Sequence, residues 1–134
     1  MVEDIRDKQI SRIVIEGYKS IEKCDLELNT LNVLIGANGA GKSNLISFFK
    51  LISKIVDEQL QLAVGESGGP DSVLHFGRKK TERLKAELYF GNNGYKFSLI
   101  PTQDNRMMFE REALWWNVHG DWRARGGHFE SYIA

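Results

Sequence analysis

A chain of 134 residues has room for one compact domain, or one lobe of a larger one. Its 42% hydrophobic and 27% charged content set it apart from disordered chains, and 18 Lys+Arg against 18 Asp+Glu give a formal net charge of zero, with no global pull toward nucleic acid or an anionic membrane. The single cysteine, Cys24, excludes an intrachain disulfide and a thiolate zinc cluster.

The first ten residues, MVEDIRDKQI, mix both charge signs and lack the apolar stretch of a secretory signal. No apolar run approaches the roughly 20 residues that span a bilayer. A cytoplasmic protein without membrane attachment is expected. Residues 11–16, SRIVIE, predict a strand centred on Ile13, Val14 and Ile15 and ended by Gly17. Cys24, Leu26 and Leu28 alternate with Asp25 and Glu27, the period of a half-buried strand antiparallel to the first. Residues 31–35, LNVLI, are almost wholly apolar and predict a short strand buried on both faces.

From Ser43 to about Ala63 the period becomes helical, with Leu45, Phe49, Ile52, Val56 and Leu60 as one stripe. Residues 65–70, GESGGP, end it with loop chemistry, and Asp71 then predicts an N-cap for a short helix stopped at Gly77. Leu84, Ala86, Leu88 and Phe90 alternate with polar residues. After the turn residues GNNG the alternation resumes at Tyr95, Phe97 and Leu99, which predicts a hairpin. A second turn over residues 101–105 leads to a third strand over residues 107–115. The stretch from Asn117 to Ala134 shows no period.

The chemistry lies between the apolar run and the helix. Gly36, Ala37, Asn38, Gly39, Ala40, Gly41, Lys42 and Ser43 fit G-x-x-x-x-G-K-S/T at every fixed position. Gly36, Gly39 and Gly41 let the backbone curl and bring its N–H groups close to phosphate oxygens. The helix N-terminus that follows attracts anionic charge. Lys42 can reach the β- and γ-phosphates, which makes it the candidate catalytic residue, and the Ser43 hydroxyl can ligate magnesium. A buried strand before and an amphipathic helix after distinguish this from an incidental glycine turn.

The stretch from Arg12 to Phe49 resembles the N-terminal lobe of ABC-type ATPases of the SMC/RecF-like branch, which is also grouped with the AAA ATPases. Three features carry the resemblance: the opening IEGYKSI of residues 15–21, the LNVLIG entering the loop, and Asn38-Gly39 followed by Gly41, Lys42, Ser43 and Asn44. The hairpin region over residues 83–116 is similar to that branch's antiparallel β-subdomain. The resemblance implies an α/β fold with α+β character, a P-loop unit over residues 12–63, and one partial ATPase domain over residues 1–134. It implies ATP and Mg2+ as cofactors, with Lys19 and Ser20 approaching the nucleotide from the opening turn and Asn38 and Asn44 beside it. For Lys19 and Ser20 an ordinary solvated turn is the alternative.

In such ATPases a run of four apolar residues closed by Asp-Glu follows, holding magnesium and orienting water; no such run occurs here. The first lobe of a longer ATPase, or a truncated gene product, is therefore expected. Ser67-Gly68-Gly69 resembles the core of the ABC signature but lies too soon after the first helix, and reads as a loop. Gln103 reads as an exposed turn residue. His75, His119 and His128 stand singly, with no metal constellation. Trp115, Trp116 and Trp122 read as core or interface aromatics. The resemblance further implies a second ATPase head as partner and an association with DNA. The one local support for DNA is Arg78-Lys79-Lys80 with Arg83 and Lys85, which otherwise reads as a solvated face. The other readings are a non-catalytic nucleotide-binding module and a small-molecule kinase. An antiparallel pair ahead of the loop speaks against the kinase.

Overall fold

The computed structural model describes residues 10–27, 39–116 and 121–132, with side chains of residues 39–42, 116 and 121–123 outside that description. Among the described residues six strands form one antiparallel sheet: β1 (Arg12–Tyr18), β2 (Ile21–Glu27), β3 (Leu84–Phe90), β4 (Asn93–Pro101), β5 (Met107–Trp116) and β6 (Asp121–Arg125). Their order is β2-β1-β3-β4-β5-β6. Every neighbouring pair is antiparallel, and the link between β1 and β3 joins the opening hairpin to the later strands. The strand expected at residues 31–35 lies outside the described residues.

Alternation sets the two faces of the sheet. Ile13, Ile15, Leu84, Ala86, Leu88, Phe97, Leu99 and Phe109 are buried on one of them. Helix α1 (Gly39–Val56) contributes Leu45, Phe48, Leu51 and Ile55 to the same core. Phe48 meets the Tyr18 ring edge-on at 5.4 Å. This corrects the expected stripe: Val56 is 56% exposed, and Phe49 and Ile52 are only half-buried. The reason is that Leu45-Ile46, Phe48-Phe49, Leu51-Ile52 and Ile55-Val56 are apolar pairs, so two adjacent stripes fit one period and only packing on the sheet chooses between them.

The single helix expected to reach Ala63 is two. Glu58 takes a left-handed conformation with φ 58°, and a new helix, α2 (Leu60–Glu66), follows. Its first N–H groups, Leu60 and Gln61, donate to the Glu130 carboxylate at 2.7 and 3.1 Å. Asp71 is not the expected N-cap. Helix α3 (Pro70–Val73) has Gly69 at that position and Pro70 in its first turn. The Asp71 carboxylate instead accepts from the Arg78 backbone N–H at 2.8 Å and from its guanidinium at 3.1 Å.

Gly17 does not end the first strand, which runs on to Tyr18. It holds φ 81° where a Cβ would come within 2.6 Å of the Arg83 carbonyl oxygen, so only glycine lets the chain pass. The hairpin of β3 and β4 forms as expected around Gly91 and Asn92, with Phe90 opposite Asn93. β4 extends through Pro101, and β5 pairs with it across an irregularity at Ser98 and Leu99. β6 has no counterpart among the expected elements. Beyond it, Phe109 and His128 form a further antiparallel bridge.

Candidate nucleotide site

Between β1 and β2 the chain turns in two residues, with Tyr18 opposite Ile21. Lys19 takes φ 48°, left-handed backbone for a residue with a long side chain, and its surroundings hold it there. Its N–H donates to the Val73 carbonyl at 2.8 Å. Its own carbonyl accepts from His75 Nδ1 at 2.6 Å, while the His75 N–H donates to the Gly17 carbonyl at 3.0 Å. Tyr18 and Leu74 form a β-bridge beside these bonds.

On its other side the same turn meets α1. Lys19 Nζ donates to Ser47 Oγ at 2.9 Å, and Tyr18 Oη lies 2.6 Å from that hydroxyl. Asn44 Nδ2 donates to Ser20 Oγ through a short bond. Burial pushes the Tyr18 phenol up from its ordinary value, so it stays neutral beside Ser47. The structure thus brings Lys19, Ser20 and Asn44 together at the beginning of α1. Ser47 and Tyr18 join them, and neither was expected. The signal was present: Asn44 and Ser47 are polar residues three apart in an apolar helix, and so share a face.

Gly36, Ala37 and Asn38 lie outside the described residues. Gly39, Ala40, Gly41 and Lys42 are described in backbone only, as the first turn of α1. Ser43 follows and is exposed. The first turn of α1 carries no acidic residue, so the partial positive charge of its N-terminus meets no carboxylate of that turn. A cationic Lys19 nearby, an exposed hydroxyl at Ser43 and a helix N-terminus without acid are the donor chemistry that suits a polyphosphate with a hard cation.

The remaining expected residues separate from this site. Ser67-Gly68-Gly69 is the turn between α2 and α3, with Gly68 and Gly69 at φ 101° and 96°. Gln103 is exposed in the turn after β4. His128 is buried against Glu112, His119 lies outside the described residues, and no group of three metal-ligating residues occurs among those described. Trp115 is half-buried beside Gly94; the side chains of Trp116 and Trp122 lie outside the description. In the basic run Arg78 and Arg83 form ion pairs, while Lys85 is exposed. Arg78 is bound to Asp71, the Thr102 carbonyl and Asn105, and Arg83 to Glu110 at 2.9 Å, while Lys79 and Lys80 are exposed. Among the described residues no helix is long and apolar enough to cross a membrane.

A mixed α/β domain with this phosphate-loop sequence leading into α1 is of the P-loop class. The AAA ATPase domain family matches residues 9–100, well over half of the chain, and the chain belongs to that family. Over 44 residues, 32% of its length, it is 39% identical to the DNA replication and repair protein RecF of Aliivibrio salmonicida (strain LFI1238). The chain's match spans 12% of that relative's length. Family and relative together mark it as a P-loop ATPase of the RecF/SMC-like branch. No solved structure matches the chain.

Proposed function

We propose that the chain binds Mg-ATP through residues 36–43, as an ABC-ATPase-like N-terminal lobe. The observation that carries this reading is the bond from Asn44 to Ser20, which draws the Lys19-Ser20 turn against the helix that the loop enters. An incidental solvated turn has no need of such a tie, and family membership supplies the expectation of nucleotide.

In this reading the loop amides of Gly36, Ala37, Asn38, Gly39, Ala40 and Gly41 receive the phosphates. Lys42 neutralises the β- and γ-phosphate oxygens and the Ser43 hydroxyl is the magnesium ligand. Bound magnesium supplies charge neutralisation across the phosphates. Lys19 and Ser20 close the site from the hairpin, and Asn44 orients Ser20. These residues bind and orient. A carboxylate to activate water is still needed, and the chain has no run of four apolar residues closed by Asp-Glu, since Asp57-Glu58 follows only Ile55-Val56 after Lys54. Hydrolysis is therefore assigned to an assembly in which a further segment or a second head supplies that group, with ATP drawing two heads together. The name of the RecF relative favours a role in DNA repair; a role in DNA defence and a cytoplasmic location are part of the proposal by family resemblance alone. The missing Asp-Glu run also favours a second reading, a nucleotide-binding module without catalysis. The β1–β2 pair ahead of the loop speaks against a small-molecule kinase.

The test is ATP affinity with and without magnesium for the wild type, Ser43→Ala and Ser20→Ala. Magnesium should strengthen binding to the wild type, Ser43→Ala should lose that gain while keeping its magnesium-free affinity, and Ser20→Ala should weaken both. Equal affinity in all three proteins, indifferent to magnesium, would contradict the reading.

A further inference from the structure

A two-residue hairpin turn does not call for lysine. Left-handed backbone suits glycine or asparagine, yet Lys19 holds φ 48° without a short polar side chain to bond its own chain. Residues 73 and 75 impose it. The Val73 carbonyl accepts from the Lys19 N–H at 2.8 Å, and His75 Nδ1 lies 2.6 Å from the Lys19 carbonyl oxygen. A carbonyl only accepts, so Nδ1 carries the proton. His75 is itself fixed, since its N–H donates to the Gly17 carbonyl at 3.0 Å and its own carbonyl accepts from the Thr81 hydroxyl.

The far end of Lys19 is fixed by a different element. Its ammonium donates to Ser47 Oγ at 2.9 Å and stands 5.5 Å from the centre of the Tyr18 ring. Tyr18 Oη, 2.6 Å from the same hydroxyl, holds Ser47 in that rotamer. Ser47 lies one helical turn, about 5.4 Å, along α1 from Ser43. Lys19 is half-buried, and among the described residues no carboxylate pairs with it. An ammonium has three N–H donors, of which Ser47 takes one. A cation held at both ends, and not neutralised by those residues, suits an anion brought to the start of α1.

We infer that His75 and Ser47 are positioning residues of the nucleotide site, His75 setting the backbone of Lys19 and Ser47 aiming its ammonium at the phosphates. Both act through Lys19. Fixing a long side chain before the nucleotide arrives removes its rotamer entropy from the binding step. The inference rests on reading residues 36–43 as the phosphate site, and it adds to that site a segment far outside the loop motif.

The experiment measures Mg-ATP affinity for the wild type, Lys19→Ala, Ser47→Ala, His75→Ala, His75→Asn and Lys42→Ala. Two double variants join Lys19→Ala to Ser47→Ala and to His75→Ala. Lys19→Ala should weaken binding about tenfold, the scale of one charge-assisted bond. Ser47→Ala and His75→Ala should each weaken it about threefold to fivefold, and neither should weaken it further once Lys19 is alanine. His75→Asn, which carries a donor at the place of Nδ1, should bind within about twofold of wild type. A general loss of fold cannot mimic this pattern, because it would weaken binding with or without Lys19; alanine at 47 also suits a helix. With Lys42→Ala weakened, wild-type affinity in the single variants, or effects that add to that of Lys19→Ala, would overturn the positioning roles and spare the phosphate site. No rescue by His75→Asn would overturn the role of His75. Unchanged affinity in Lys42→Ala, or no binding by the wild type, would overturn the phosphate site as well.

Discussion

Replacing Glu112 by alanine tests how the sheet holds the segment that follows β6. Glu112 is 3% exposed. It accepts from Tyr95 Oη at 2.6 Å, Ser131 Oγ at 2.6 Å and the Tyr132 N–H at 3.0 Å, and pairs with His128 Nε2 at 2.9 Å. The His128 ring is stacked between Phe109, at 4.9 Å, and Tyr132, at 4.3 Å. Burial, then the bond to Glu112, push the Tyr95 phenol far up, so its hydroxyl remains a donor at any working pH. Alanine at 112 takes away the acceptor shared by the Tyr95 hydroxyl, His128 Nε2 and the Tyr132 N–H. Each buried donor left without that acceptor costs about 1–3 kcal/mol. These overlapping terms give about 4 kcal/mol, against a total stability of about 5–15 kcal/mol for a domain. Urea denaturation reads it: with a slope near 2 kcal/mol/M, the midpoint should fall by about 2 M. Because Glu130 of the same segment binds the Leu60 and Gln61 amides, their hydrogen exchange should accelerate as well. A midpoint within about 0.3 M of wild type would refute the claim that this carboxylate anchors the segment.

Two further outcomes follow from local geometry. Gly17→Ala places a Cβ 2.6 Å from the Arg83 carbonyl oxygen at φ 81°, so it should destabilise by about 2 kcal/mol or more; a thermal midpoint equal to wild type would contradict that packing. The Arg78 backbone N–H, and then its guanidinium, hold the Asp71 carboxyl below its ordinary value of 3.8. A carboxyl lowered on folding adds stability that is complete above its unfolded pKa and lost as pH falls through the folded one. Asp71→Asn should therefore flatten the loss of thermal stability below about pH 4, with a smaller effect at high salt because the pair is exposed. Parallel melting curves for the two proteins across pH 2–6 would contradict it.

What could be read from the sequence depended on whether one signal acted alone. The β3–β4 hairpin was legible because strict alternation and a glycine-rich turn agree at Gly91 and Asn92. The packing of α1 was not, because its apolar residues come in adjacent pairs and the choice of Leu45, Phe48, Leu51 and Ile55 is made by the sheet. The break at Glu58 was hidden for a related reason: a left-handed glutamate carries no sequence mark, unlike a glycine or proline. β6 was missed because its partner Ala113 and the bridge from Phe109 to His128 are long-range pairings within a glycine-rich tail. At the site, residues 36–43 are a linear motif visible in the sequence, and their role as the phosphate site is the proposal. The grouping of Tyr18, Lys19, His75, Asn44 and Ser47 depends on hydrogen bonds between residues up to 56 apart, as in His75 to Lys19, which no local pattern encodes.

The central claim, ATP held by its phosphates at the N-terminus of α1, is tested most directly by ATP affinity in the presence of magnesium for the wild type and Lys42→Ala, with phosphate release followed on the same samples. The account predicts binding by the wild type, a loss of about tenfold to a hundredfold in Lys42→Ala from the missing charge-assisted bonds, and negligible release from either protein alone. Equal binding by both proteins, or Lys42-dependent release by the isolated chain, would contradict it.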